Sequence, residues 1–103
     1  MATAEIHAGI CGFTTTVQTT MDGDMCTVTI DSDCAAIKRM AQHLTSVDPF
    51  RECTLRGDGP ETLALGQKYC SHAACPVPVG IIKAIEIEAG LALPLDVTIK
   101  LAK

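Results

Sequence analysis

Asp22-Gly23 stands between two runs of β-branched and apolar residues, and this pairing constrains the fold more than any other local feature. Asp-Gly flanked by such runs is a strong short-range signal for a β-hairpin. The run before it, Thr14-Thr-Thr-Val-Gln-Thr-Thr-Met21, is rich in β-branched side chains that suit a pleated surface. After the turn, Cys26, Val28 and Ile30 alternate with polar partners and define one face of a strand over residues 25–30. Residues 2–8 alternate too, with Ala4, Ile6 and Ala8 opposite Glu5 and His7, so a third strand precedes the hairpin.

The period then changes. Ser32-Asp33 offers a helix N-cap, and Cys34, Ile37, Met40, Ala41 and Leu44 recur at helical spacing over residues 34–45. A loop is expected at 46–51 around Pro49, followed by a short strand at 52–56. Asp58-Gly-Pro60 is a turn and helix-start signal, which places a second helix at 61–70. Residues 71–76 form a break. A third helix is expected over 77–89, ended by Gly90, and Asp96–Leu101 alternates as a last strand.

Strands first, helices in the middle and a closing strand predict an α+β fold. The expectation is a small, mostly antiparallel sheet of four to five strands with two to three helices on one face. A length of 103 residues predicts a single domain over residues 1–103. Almost half the residues are apolar but there is no Trp, one Tyr and two Phe, so the core must be aliphatic.

Charge and segment composition narrow the function classes. The net charge is −4, and the eight Lys and Arg form no basic run, which argues against nucleic-acid binding. The first residues have no basic start followed by an apolar run, as a signal peptide would. No stretch approaches the ~18 apolar residues of a membrane span, and the expected location is cytoplasmic. There is no P-loop, dinucleotide fingerprint or nucleophile elbow. Asp22, Asp24, Asp31 and Asp33 lack an EF-hand pattern and fit turn and cap roles, and Glu86 and Glu88 read as solvated helix charge.

Six cysteines is a large number for a domain of this size. In a reducing compartment such an excess points to metal binding, thiol chemistry or small core residues. Cys26, in phase with Val28 and Ile30, and Cys53, beside Leu55, read as core. Cys11 lies in Gly9-Ile-Cys-Gly12, where the glycines permit a sharp turn; it either supports a thiolate in a nest of backbone N–H groups or packs inward. Cys34 falls at a helix start, where a thiolate is stabilised, yet also on the apolar face. Cys75 precedes Pro76 at another helix start, with Cys70 and His72 close by in sequence.

No Cys-x-x-Cys pair occurs, so any metal site must be assembled from distant segments. The expected ligands are Cys11, Cys34 and Cys75, with Cys70 or His72 completing a shell suited to zinc or an iron–sulfur cluster. The molecule would carry, store or deliver that metal to an acceptor protein. Two alternatives stand beside this one. One is a thiol-dependent enzyme or redox protein with Cys75 as the reactive thiol and His72 as a base. The other is an interaction module with core cysteines, and a homodimer formed through a sheet edge.

The stretches Gly9-Ile-Cys-Gly-Phe-Thr-Thr-Thr-Val17, Ser32-Asp-Cys34 and His72-Ala-Ala-Cys-Pro-Val-Pro78, running on to Gly90-Leu-Ala-Leu-Pro94, carry a resemblance. The chain resembles a family of short uncharacterised cysteine-rich proteins from anaerobic bacteria and archaea. That resemblance implies no activity; it directs attention to Cys11, Cys34, His72 and Cys75, and an anaerobic setting favours iron–sulfur chemistry by association.

Overall fold

The computed structural model describes residues 1–103. Three long strands form first: β1 (Ala2–His7), β2 (Thr14–Asp22) and β3 (Met25–Ser32). They pair antiparallel in chain order, with Ala4 opposite Val17 and Val17 opposite Ile30. Period-2 alternation therefore puts Ala2, Ile6, Val17, Thr19, Cys26 and Val28 on one buried face. The opposite face carries Thr3, Glu5, Gln18, Thr20 and Thr27 and is open to solvent.

The β2–β3 hairpin has a two-residue loop, because Asp22 pairs with Met25. Gly23 has φ of +62° and no non-glycine residue has positive φ, so the loop follows the type II′ pattern with glycine first. The central pair is thus Gly23-Asp24, one residue later than the Asp-Gly signal suggests.

The buried face is covered by helices. α1 (Ala35–Ala41) packs on β3, and α4 (Val77–Glu88) crosses β1 and β2. α3 (Glu61–Tyr69) lies against α1 and α4, while the single turn α2 (Pro49–Glu52) touches α3 and α4. The core joins Val17 and Val28 of the sheet to Ile37, Met40 and Leu44, and to Val77, Ile81 and Ile85. Thr19, fully buried on the sheet, donates its hydroxyl to the Ala84 carbonyl of α4 at 2.9 Å. α4 comes unusually close to β1 at Gly80, where an added Cβ would collide with the Ile6 side chain. The α+β expectation of a small antiparallel sheet with helices on one face is therefore met.

Three local expectations are corrected. Residues 52–56 are not a strand; Pro49 at the first helical position starts α2 instead. Ser46 and Val47, expected as loop, form the two-residue edge strand β4 beside Thr27 and Cys26. Residues 96–101, expected as a last strand, alternate as a strand should but belong to no strand of this sheet.

α3 owes its start to a residue the sequence does not flag. Pro60 is the N-cap and supplies no side-chain hydrogen bond. Glu52, 1 % exposed, takes that role. It accepts from the backbone N–H groups of Glu61 and Thr62, both at 2.8 Å, and from the Thr62 hydroxyl at 2.5 Å. These are groups that a helix start otherwise leaves unpaired.

Glu88 is not a merely solvated charge either. It accepts the Met21 N–H at 2.9 Å and sits 3.1 Å from the amino group of Met1, which ties the end of α4 to β1 and β2. The Met21 N–H, followed by the terminal ammonium, holds its carboxyl below the usual value.

Candidate thiol site

One end of the α4–sheet sandwich is built from three connections. The first is the loop 8–13 between β1 and β2. Gly9 and Gly12 adopt φ of +95° and +77°, which L side chains avoid. The Ala8 N–H donates to the Phe13 carbonyl at 3.1 Å and the Gly12 N–H to the Gly9 carbonyl at 2.9 Å. The loop thereby turns tightly and holds Ile10, Cys11 and Phe13 outward, all exposed.

The second connection is the β3–α1 junction. Cys34 is the N-cap of α1, displaced from the Ser32-Asp33 position that the sequence suggests. Ser32 explains the shift: its hydroxyl accepts the Cys34 N–H at 3.2 Å and the Thr15 hydroxyl at 2.8 Å. A buried hydroxyl pair between β2 and β3 thus fixes where Cys34 leaves the sheet.

The third is the 70–76 segment between α3 and α4. Cys70 ends α3, its N–H bonded to the Gly66 carbonyl at 2.9 Å. His72 to Cys75 forms a single turn, with the Cys75 N–H on the His72 carbonyl at 3.3 Å. Pro76 then opens α4.

These connections border an open, largely apolar cavity of about 310 Å³, and Cys11, Cys34, Cys70, His72 and Cys75 all line it. The remaining wall is supplied mainly by apolar side chains, Ile10, Phe13, Ile37 and Val77 among them. A second cavity, of about 440 Å³, lies across the 70–75 segment and shares Cys70, His72 and Cys75.

Within the five, three thiols interact. Burial pushes the Cys70 thiol up to about 11, reinforced by the charge and a side-chain hydrogen bond of Cys75 and by the charge of Cys34. Cys70, read from the sequence as one of two options for a fourth position, is the thiol on which both of the others act. Cys11 and His72 lie on the cavity but outside that interaction, both on exposed connections. No three His, Cys, Asp or Glu side chains are set in this arrangement to hold a metal ion.

The other two cysteines are placed differently. Cys26 is completely buried in the core. Cys53, expected in a strand, is the C-cap of α2 and packs against the core. Burial raises both thiols, helped by Glu88 at Cys26 and by Glu86 and Glu52 at Cys53. All six are free thiols.

The sequence does not point to Cys70 as the thiol acted on by the others, nor to Ser32 and Thr15 as its supports. Ile10 and Phe13, bulky apolar residues on either side of Cys11-Gly12, were the available signal that the loop forms an apolar lip.

Residues 2–101 match the model of a family of unknown function, DUF6951. No curated protein and no solved structure matches the chain.

Proposed function

We propose, for a chain that belongs to the DUF6951 family of unknown function, that this cavity takes up a thiophilic metal ion or an iron–sulfur cluster. Cys34, Cys70 and Cys75 are the thiolate ligands, and Cys11 or His72 completes the shell. The observation that carries this reading is that one apolar cavity is lined by three thiols from two connections, with Cys75 and Cys34 both acting on Cys70. Soft thiolates select zinc, copper(I) and iron–sulfur centres over hard cations. Bonding would bring the sulfurs to ~2.3 Å from zinc, which requires the 8–13 loop and the 70–76 connection to close on the ion. Two of the donor-bearing segments are surface connections, which suits a molecule that passes its metal to an acceptor protein.

Free Cys70 resists ionisation, so metal uptake must displace its proton.

The test is elemental analysis and visible absorption of protein purified without oxygen, followed by titration with zinc(II) and iron(II) plus sulfide. Stoichiometric uptake that is lost in Cys34→Ser, Cys70→Ser and Cys75→Ser, and kept in Cys26→Ser, supports the reading. Folded, colourless protein that takes up neither metal overturns it. A single cysteine that is alkylated far faster than the rest at neutral pH would instead favour the reactive-thiol alternative.

A further inference from the structure

α4 does not fray at its end. Gly90, at φ of +75°, donates its N–H to the Ile87 carbonyl at 3.2 Å, and Leu91 donates to the Glu86 carbonyl at 2.8 Å. This paired closure is a Schellman cap, and it fixes the direction in which the chain leaves the helix. Pro94 stiffens the exit further. Beyond Leu91 the backbone belongs to no helix or strand.

The segment that follows is built as a strand. Leu93, Leu95, Val97, Ile99 and Leu101 alternate with Pro94, Asp96, Thr98 and Lys100. Those five apolar side chains are 61–90 % exposed. A contiguous apolar stripe on an unpaired backbone is a surface that requires a partner.

The same chain offers a matching edge. β1 is the terminal strand of the sheet and pairs only with β2. It has no proline or lysine, the residues that usually block edge pairing. The opposite edge is the two-residue β4, too short to accept a strand. Residues 95–101 would extend ~23 Å, against ~20 Å for the six residues of β1. The apolar set would continue the face of Ala2, Ala4 and Ile6 beneath α4, and the polar set would put Asp96 and Lys100 on the face that carries Glu5 and His7.

We propose that residues 95–101 are a fifth strand donated to β1 of a second copy, which returns its own in exchange. The occupant is a second copy because one chain supplies both halves of the match: a strand held clear of its own sheet by a rigid cap, and an open edge of the same length and complementary charge. Reciprocal donation around a two-fold axis leaves neither half unpaired. The thiol cavity takes no part, so this proposal stands or falls apart from the metal reading.

The experiment uses the full chain and Val97→Asp/Ile99→Asp, compared by light scattering across a concentration series, with circular dichroism as the control for folding. The native chain is expected to be a dimer at micromolar concentration. The double variant should keep its helix and strand signal, since these side chains are exposed and lie outside the core, while its dimer dissociation constant rises at least ~100-fold. A mixture of isotope-labelled and unlabelled chains should give intermolecular contacts between residues 95–101 and β1. A monomer, a monomer whose tail contacts its own β1, or a dimer unmoved by the double variant overturns the proposal.

Discussion

The half of the molecule under α4 and the end that carries the thiols are made from the same kinds of residue and solve opposite problems. Under α4 every buried polar group has a partner: Thr19 meets the Ala84 carbonyl and Glu52 meets the start of α3. Its cysteine, Cys26, is a small core residue among aliphatic ones. At the other end the chain gathers Cys34, Cys70 and Cys75 around a cavity and leaves space beside them. The difference teaches that burial alone does not distinguish a structural thiol from a functional one. Burial raises Cys26 and Cys70 alike; what separates them is that Cys70 borders open volume and Cys26 does not.

The sharpest way to break the comparison is at Glu52. Glu52→Ala removes the acceptor for two backbone N–H groups and one hydroxyl in a buried site, and should cost about 3–4 kcal/mol in urea denaturation. Metal uptake by the protein that remains folded should be unchanged. Gly80→Ala is next. Alanine favours helix by roughly 1 kcal/mol, but the added methyl must displace Ile6, so a net loss of about 1–3 kcal/mol is expected. A loss near zero would mean that α4 and β1 are less closely packed than the structure has them.

The two regions also differ in how much of them is legible in the sequence. β1, β2 and β3 are visible because half-buried antiparallel strands must alternate, and α3 and α4 are visible because both start at a Pro and α4 ends before Gly90. β4 and α2 are too short to show a period. Residues 96–101 show that alternation reports the capacity to be a strand, and pairing depends on where an edge lies in space. The cysteines at connections could be picked out by their neighbours, Gly9 and Gly12 around Cys11 and Pro76 after Cys75. Their relation to one another could not, because it depends on how α3 and α4 are set against β3. Glu52 was hidden for the same reason: its partners are nine and ten residues away, with no capping-box spacing to mark them.

A paired substitution sharpens the comparison at smaller cost. Cys26→Ser places a hydroxyl among aliphatic side chains and should lose about 1–3 kcal/mol with zinc uptake intact. Cys75→Ser, at a half-buried cavity wall, should lose under about 1 kcal/mol and abolish uptake. Equal stability losses, or equal effects on uptake, would erase the distinction between the two kinds of thiol.

The alkaline limb of stability isolates Cys70. Its folded value, about 11, lies above the ordinary 9.0. The folded state therefore holds a proton that the unfolded state releases first. The contribution is fully present below pH 9.0 and is lost as pH rises through about 11. Cys70→Ala should flatten the fall in urea midpoint across that window, and Cys26→Ala, which removes another raised thiol, should flatten part of it as well. Zinc affinity should rise over the same window, because less proton must be displaced.

The smallest effect is expected on the acid side, at Glu88. The Met21 N–H and the amino terminus hold its carboxylate below the usual value, so ionised Glu88 stabilises the folded state at neutral pH. That contribution is present above the unfolded carboxyl value and disappears as pH falls through the lower folded one. Glu88→Gln keeps an oxygen for the Met21 N–H and removes the charge. The variant and the native chain should therefore converge in stability once the pH falls below that lowered folded value and separate modestly at neutral pH, with salt narrowing the gap. Because Glu88 ties α4 to the start of β1 and the end of β2, hydrogen exchange in Glu88→Gln should quicken at Met21 and leave the thiol end unchanged. Faster exchange at both ends would mean that the two regions open together and are one cooperative unit.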